Sequence, residues 1–152
     1  MPKKIILFLV LNFGALAIGG LFTGEGVPSE WYQSLNKAPW TPPGWVFGSA
    51  WTLIMVCFAF YMANLIKSHS NQKNIIILFV IQWILNVIWN PIFFHFQAVS
   101  LGLICISMLT ILIAYLFFSF WKELKVKSLL IAPYLIWLLI ATSLNAYILL
   151  YN

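Results

Sequence analysis

Three amide side chains recur at intervals of four residues within one apolar segment: Gln82, Asn86 and Asn90. In a helix they share one stripe, with Trp89 and Phe93 beside it. Each amide can donate and accept hydrogen bonds, but none can ionise. The stripe can therefore offer hydrogen bonds to a mostly apolar ligand, or it can join neighbouring helices through the same bonds.

Two other apolar segments carry residues at the same interval. Trp137, Ala141 and Asn145 share one helical face, and Phe47 and Trp51 share another. The small side chain of Ala141 leaves room for a ligand, or for a second helix. The aromatic face of Phe47 and Trp51 is equally compatible with a pocket wall and with a surface that contacts lipid, so both interpretations stay open.

The most unusual stretch runs from Trp31 to Trp51 and combines tryptophans with prolines. Pro42 and Pro43 cannot continue a helix, but Pro43 suits the first turn of one. We therefore predict a structured loop that leads into a helix and folds over the helix ends as a lid on a pocket. This stretch contains four of the eight tryptophans of the chain, namely Trp31, Trp40, Trp45 and Trp51.

The sequence lacks the residues that several kinds of chemistry require. No charged residue or histidine lies deep in an apolar segment, which argues against proton-coupled transport. His69 and His95 lack metal-ligand spacing, and Cys57 and Cys105 fall where small packing residues are expected. No nucleophile lies beside a base, so we predict neither a metal site, nor an obligatory cofactor, nor a conventional enzyme.

The composition decides the fold class. Hydrophobic residues make up 63% of the 152 positions and charged residues 7%, which indicates an all-α integral membrane protein. We predict a single domain, residues 1–152, built as a bundle of five helices that each cross a hydrocarbon core of ~30 Å. The first span lacks a convincing cleavage site, and we expect it to be retained. The predicted spans are 5–22, 45–66, 75–96, 99–120 and 129–151.

The lysines predict the orientation. Of the eight, only Lys37 lies in the first loop, and the others lie at the N-terminus and in the second and fourth loops. Positive residues favour the inner side of a membrane, so the N-terminus is expected inside, with the first loop and the C-terminus outside. The net charge of +5 forms no basic face that would suit nucleic acid. The inner lysines are Lys3, Lys4, Lys67, Lys73, Lys122, Lys125 and Lys127.

The loop stretch resembles the signature of the TspO/MBR family, the translocator proteins also called peripheral-type benzodiazepine receptors. Residues 82–94 resemble the third helix of that family, and residues 133–145 resemble its fifth. Met55 stands where the family often has tyrosine, and no lysine or arginine follows Tyr147, so specific sterol binding is not predicted. In the loop stretch, the residues that carry the resemblance are Trp31, Leu35, Lys37, Pro39, Trp40, Pro42, Pro43, Trp45, Val46, Phe47, Ala50 and Trp51.

The resemblance implies a ligand and a set of residues that bind it. The ligand would be a tetrapyrrole such as protoporphyrin IX or haem, and synthetic isoquinoline carboxamides and benzodiazepines would occupy the same pocket. A homodimer in a bacterial cell membrane is also implied. Matched position by position, the ligand-binding residues would be Trp31, Tyr32, Pro42, Phe47, Trp51, Gln82, Asn86, Trp89, Asn90, Phe93, Trp137, Ala141 and Leu144.

Three functions remain open from the sequence. The chain is predicted to sense, sequester or transport porphyrins, or to degrade them with light and oxygen, or to act as a membrane scaffold whose pocket is incidental. In the second case the porphyrin is itself the photosensitiser, and Trp51 and Trp137 would supply oxidisable indoles as the catalytic residues.

Overall fold

The computed structural model describes all 152 residues, and its regular secondary structure is entirely helical. Five helical segments are long and apolar enough to cross a membrane, so the predicted all-α membrane fold is confirmed and the chain is a multi-pass membrane protein. In order, the helices are α1 (Pro2–Gly26), α2 (Glu30–Ser34), α3 (Gly44–Ser68), α4 (Gln72–Asn90), α5 (Val99–Ser119), α6 (Trp121–Leu124) and α7 (Ala132–Tyr151).

The ends of several helices differ from the predicted spans by a few residues. Helix α1 begins three residues before the predicted span and ends four residues after it. Helix α7 begins at Ala132, because residues Lys125–Leu130 form a separate 3₁₀ turn. Pro133 lies in the first turn of α7, where its missing N–H leaves no bond unmade.

The five membrane helices form a closed ring that does not follow the chain order. Helix α1 packs against α3 and α4, α3 packs against α7, α7 against α5, and α5 against α4. The last membrane helix therefore lies between the second and the fourth. This order brings α1, α3, α4 and α7 around one central space.

Helix α3 forms most of the core over its second half. Its side chains from Ile54 to Leu65 are largely buried, and the phenol of Tyr61 donates to the carbonyl of Leu116 at 2.9 Å. Asn12 of α1 is 2% exposed and donates to the carbonyl of Met55 at 3.0 Å. Because lipid offers no hydrogen bonds, such pairs give the buried polar groups their partners and hold the helices in register.

Helices α1 and α4 approach each other closely where α1 carries glycine. A Cβ atom on Gly19 would lie 2.5 Å from Nδ2 of Asn90, so a larger residue would have to displace the Asn90 side chain. Four residues later, the hydroxyl of Thr23 lies 2.9 Å from Oδ1 of Asn90. Nearer the start of α1, the indole of Trp83 donates to the carbonyl of Leu11 at 2.8 Å. The small residues of α1 thus pack against a helix of the same chain.

Helix α4 changes geometry at Pro91. Residues Pro91–His95 form one π-helical turn, which ends when the amide of Phe96 donates to the carbonyl of Pro91 at 3.0 Å. Proline cannot donate the usual helical bond, and π turns often occur at functional sites. The turn buries Phe93 and places Phe94 against Gly26 of α1. It also leads directly into the short connection to α5 that the sequence predicts.

Gln82 joins two helices. The Gln82 side chain is 2% exposed, and its Oε1 accepts a hydrogen bond from the hydroxyl of Tyr134 at 2.9 Å. Tyr134 is 1% exposed and lies on α7. This bond connects α4 with α7 in the interior of the bundle, so at Gln82 the amide stripe serves packing.

We expect Tyr134→Phe to lower the free energy of unfolding by about 1–2 kcal/mol, because Oε1 of Gln82 then stays buried without a partner. Tyr147→Phe is the matched control, since the Tyr147 hydroxyl makes no hydrogen bond within the protein and its ring packs near the bundle end. Thermal unfolding in detergent measures both variants. Equal melting temperatures would contradict the structural role assigned to the Gln82–Tyr134 bond.

Candidate ligand-binding cavity

A cavity of about 480 Å³ lies between α1, α3, α4 and α7, and part of α5 forms its floor. This volume falls within the range of about 300–1,000 Å³ that is typical of small-molecule sites. Its wall is mostly apolar and aromatic. Such a space suits a ligand that is largely hydrophobic and makes few hydrogen bonds.

Eleven of the thirteen predicted site residues line this cavity, and the two that do not are Trp31 and Gln82. The ring of Trp31 packs edge-on against Phe93 at a centroid distance of 5.5 Å, so it supports the wall from behind. The lining residues among the predicted set are Tyr32, Pro42, Phe47, Trp51, Asn86, Trp89, Asn90, Phe93, Trp137, Ala141 and Leu144.

The amide stripe divides into three different roles along α4. A helix turns about 40° beyond a full revolution every four residues, so side chains eight apart differ by about 80° in direction. Gln82 therefore points to Tyr134, whereas Asn86 and Asn90 reach the cavity. The prediction that Gln82 lines the pocket is therefore wrong. The regular spacing of the amides suggests one shared direction, but the side-chain direction rotates along the helix.

Of the two amides that reach the cavity, only Asn86 is free. Asn90 accepts from Thr23 at 2.9 Å, and its Nδ2 donates to the carbonyl of Asn86 at 3.2 Å. The side chain of Asn86 is half-buried, lines the cavity and makes no hydrogen bond within the protein. It is therefore the amide that can donate to or accept from a ligand.

Two of the tryptophans in the cavity also keep their hydrogen-bond donors free. The indole nitrogens of Trp40, Trp83 and Trp89 each donate to another residue. Those of Trp51 and Trp137 do not, and both residues line the cavity. Their N–H groups and ring faces are therefore available to a ligand.

Edge-to-face contacts fix the positions of these indoles. Trp137 packs against Phe47 with a centroid distance of 5.2 Å, and Trp51 packs against Tyr134 at 6.0 Å. Such aromatic pairs contribute roughly 0.5–1.5 kcal/mol beyond their buried area. The two indoles lie on neighbouring helices, α3 and α7, and both border the same space.

Trp89 belongs to a hydrogen-bonded wall that the sequence does not identify. Its indole donates to Oδ1 of Asn145 at 3.0 Å, and Nδ2 of Asn145 donates to the carbonyl of Val99 at 3.1 Å. The Trp89 ring stacks on Phe93 at 4.9 Å. Asn145 also lines the cavity, but its amide is already satisfied. The spacing of Asn145 from Ala141 and Trp137 predicts the shared helical face, but the bond to Trp89 joins residues 56 apart and has no signal in the sequence.

The first loop contributes Tyr32, Lys37, Thr41 and Pro42 to the cavity wall and is held near α4. Ser29 caps α2, because its hydroxyl accepts from the amide of Tyr32 at 3.2 Å and donates to the carbonyl of Gly26 at 2.6 Å. The capped helix directs Tyr32 against Phe94, with a centroid distance of 5.5 Å. This end of the loop is therefore anchored to the π turn.

The other end of the loop is anchored to α7. The indole of Trp40 donates to the hydroxyl of Ser143 at 3.0 Å and packs edge-on against Tyr147 at 5.5 Å. The backbone N–H of Asn36 donates to Oδ1 of Asn152 at 2.8 Å, and Nδ2 of Asn152 donates to the carbonyl of Asn36 at 3.0 Å. The loop thus spans the bundle from α4 to α7 above the cavity.

The electrostatics of the cavity are simple. No carboxylate, imidazole or thiol lines it, and Lys37 is its one charged side chain. The Lys37 Nζ atom lies 4.5 Å from the centroid of the Tyr32 ring. Burial raises the pKa of the Tyr32 phenol, which therefore keeps its proton at neutral pH and remains a donor. These groups can bind and orient a ligand, but they include no acid–base pair.

Other chains resemble this one along its whole length. A sequence model of the TspO/MBR family matches residues 6–151. The tryptophan-rich protein TspO of Chlorobaculum tepidum is 36% identical over 158 residues, which cover 99% of each chain. That of Archaeoglobus fulgidus is 34% identical and covers 100% of this chain and 96% of its own. The human translocator protein is 29% identical over 84% of this chain and 78% of its own.

Proposed function

Because this chain belongs to the TspO/MBR family, we propose that it binds tetrapyrroles such as protoporphyrin IX or haem within the membrane and acts in their sensing, sequestration or transport. The observation that carries the proposal is the cavity, whose mostly apolar and aromatic wall contains one free amide, Asn86. Synthetic isoquinoline carboxamides and benzodiazepines would compete for the same space. The homodimer that the family resemblance implies stays a prediction.

The wall matches the chemistry of a flat aromatic ligand. Trp51 and Trp137 offer ring faces and free N–H groups, and the stacked pair of Trp89 and Phe93 adds a further flat surface. Stacking on such surfaces suits a macrocycle, while a few hydrogen bonds from Asn86 and the indoles fix its orientation. A ligand that reacts by acid–base chemistry would find no partner here.

Quenching of tryptophan fluorescence tests the proposal directly, since Trp51, Trp89 and Trp137 all border the cavity. Protoporphyrin IX added to the purified protein in detergent should quench the emission saturably, with one site per chain. An isoquinoline carboxamide in excess should restore the emission. Linear quenching that the carboxamide does not reverse would contradict the proposal and leave a scaffold with an incidental pocket.

A second candidate function is degradation of the bound porphyrin by light and oxygen. Trp51 and Trp137 favour it, because two unbonded indoles face one cavity from neighbouring helices. A porphyrin absorbs visible light and activates oxygen by itself, so the protein would supply only position and oxidisable side chains. No acid, base or metal is required for this chemistry.

We also propose that the first loop lies outside the cell membrane. In a variant whose Cys57 and Cys105 are replaced by alanine, Ser34→Cys should react with an impermeant thiol reagent in intact cells, because Ser34 is exposed in this loop. Ser70→Cys, exposed in the second loop, is the matched control and should react only after permeabilisation. The reverse pattern would invert the orientation.

A further inference from the structure

Lys37 is the one cation in the wall of an otherwise neutral cavity. Its side chain is half-buried, and Nζ lies over the ring of Tyr32 at 4.5 Å from the centroid. The face of the aromatic ring attracts a cation in this position and restricts where the ammonium points. The Tyr32 ring therefore holds the charge beside the space that a ligand would fill.

No protein carboxylate neutralises Lys37. The carboxylate of Glu123 lies 2.9 Å from Nδ1 of His69, at the opposite end of α3. That end is about 37 Å away along the 25-residue helix. Glu25 and Glu30 lie nearer in the sequence, but both are exposed and neither pairs with Lys37.

The neutral polar groups nearby cannot replace an anion. The hydroxyl of Thr41 donates to the carbonyl of Ala38 at 2.7 Å, and what it can offer the ammonium group of Lys37 is an uncharged oxygen. The Tyr32 phenol keeps its proton, so its oxygen is also a neutral acceptor, and the ammonium group lies over the ring of this residue. Hydrogen bonds between an ammonium group and a carboxylate are roughly twice as strong as neutral ones, and they strengthen further where water is scarce.

We propose that Lys37 selects ligands that carry a carboxylate on an apolar aromatic body, with the carboxylate at the loop end of the cavity. The inference rests on the proposed function, since it concerns the same cavity. The apolar body would extend from Lys37 toward Asn86, which lies two helical turns before Phe94, the residue that Tyr32 of the loop packs against. One charged contact at the loop and one amide contact below it would fix the direction in which the ligand enters.

Two porphyrins with the same ring but different charge distinguish the effect of ligand charge on affinity from the effect of ligand shape. Protoporphyrin IX carries two carboxylates, and its dimethyl ester carries none. We expect Lys37→Gln to weaken binding of the diacid by about tenfold and to leave binding of the ester unchanged. Lys37→Arg should restore the preference for the diacid. Lys127→Gln, an exposed lysine beyond α6, is the control and should change neither affinity.

Comparing the variants with the wild type cancels the partitioning of porphyrin into detergent, which is the main source of error in such titrations. Each porphyrin partitions into detergent to the same extent whichever variant is present, so the change in the diacid-to-ester affinity ratio isolates the contribution of Lys37. A ratio that is equal in the wild type and in Lys37→Gln would overturn the inference and leave the proposed function standing. An equal loss for both porphyrins would assign Lys37 to loop structure and overturn it too. Absence of saturable binding by either porphyrin would overturn both proposals.

Discussion

Asn86→Leu is expected to weaken tetrapyrrole binding by about 5–150-fold, which corresponds to the loss of about 1–3 kcal/mol from an unpaired polar contact. The melting temperature should stay near that of the wild type. The reason is that the Asn86 side chain makes no hydrogen bond within the protein, so leucine breaks none. Leucine also has the same number and branching of side-chain heavy atoms as asparagine, and a high helix propensity.

Gln82→Leu is the matched control, because it makes the same change of chemistry one helical turn away on the same helix. Here leucine removes the acceptor of the Tyr134 hydroxyl, so the melting temperature should fall while the affinity for the ligand changes little. Titration by fluorescence and thermal unfolding of both variants measure the two effects. The assignment would be contradicted if Gln82→Leu kept its melting temperature while Asn86→Leu lost stability and kept its affinity for the ligand. The two residues would then exchange roles.

The helices could be predicted because few backbone conformations are stable in lipid. Backbone groups in hydrocarbon must be paired within the segment, so an apolar run of about 20 residues is read as a helix with few alternatives. The order of the helices around the ring was not predictable. An apolar side chain such as Leu53 or Ile54 suits lipid and protein equally, although the first is 55% exposed and the second 1% exposed.

The same limitation explains what the sequence missed at the cavity. Helix α1 contributes Ala15, Gly19 and Thr23 to the wall, but such small residues equally indicate close helix packing. Lys37 was noted for topology and for the family signature, since nothing in its spacing places it beside a cavity. Its position depends on the loop anchors Trp40 and Asn36, whose partners on α7 lie more than 100 residues away in the chain.

The photochemical function predicts the largest effect on a rate. Under light and oxygen, Trp51→Phe and Trp137→Phe should each slow the loss of bound protoporphyrin IX by roughly tenfold, equivalent to about 1.4 kcal/mol of activation free energy. Phenylalanine keeps an aromatic ring in the cavity but removes the oxidisable indole. The dissociation constants should therefore change much less than the rates.

Trp121→Phe provides the matched control for these two variants. Trp121 is 42% exposed on α6 and lies outside the cavity, so its replacement should alter neither the rate nor the affinity. Porphyrin absorbance followed at saturating ligand, in the dark and under illumination, compares the four proteins. Because edge contacts with Phe47 and Tyr134 hold the two indoles against one cavity, a direct role requires both variants to be slower than the control. Equal rates in all four, matching free porphyrin in detergent, would mean that the indoles only stack on the ring and that the protein binds porphyrin without degrading it.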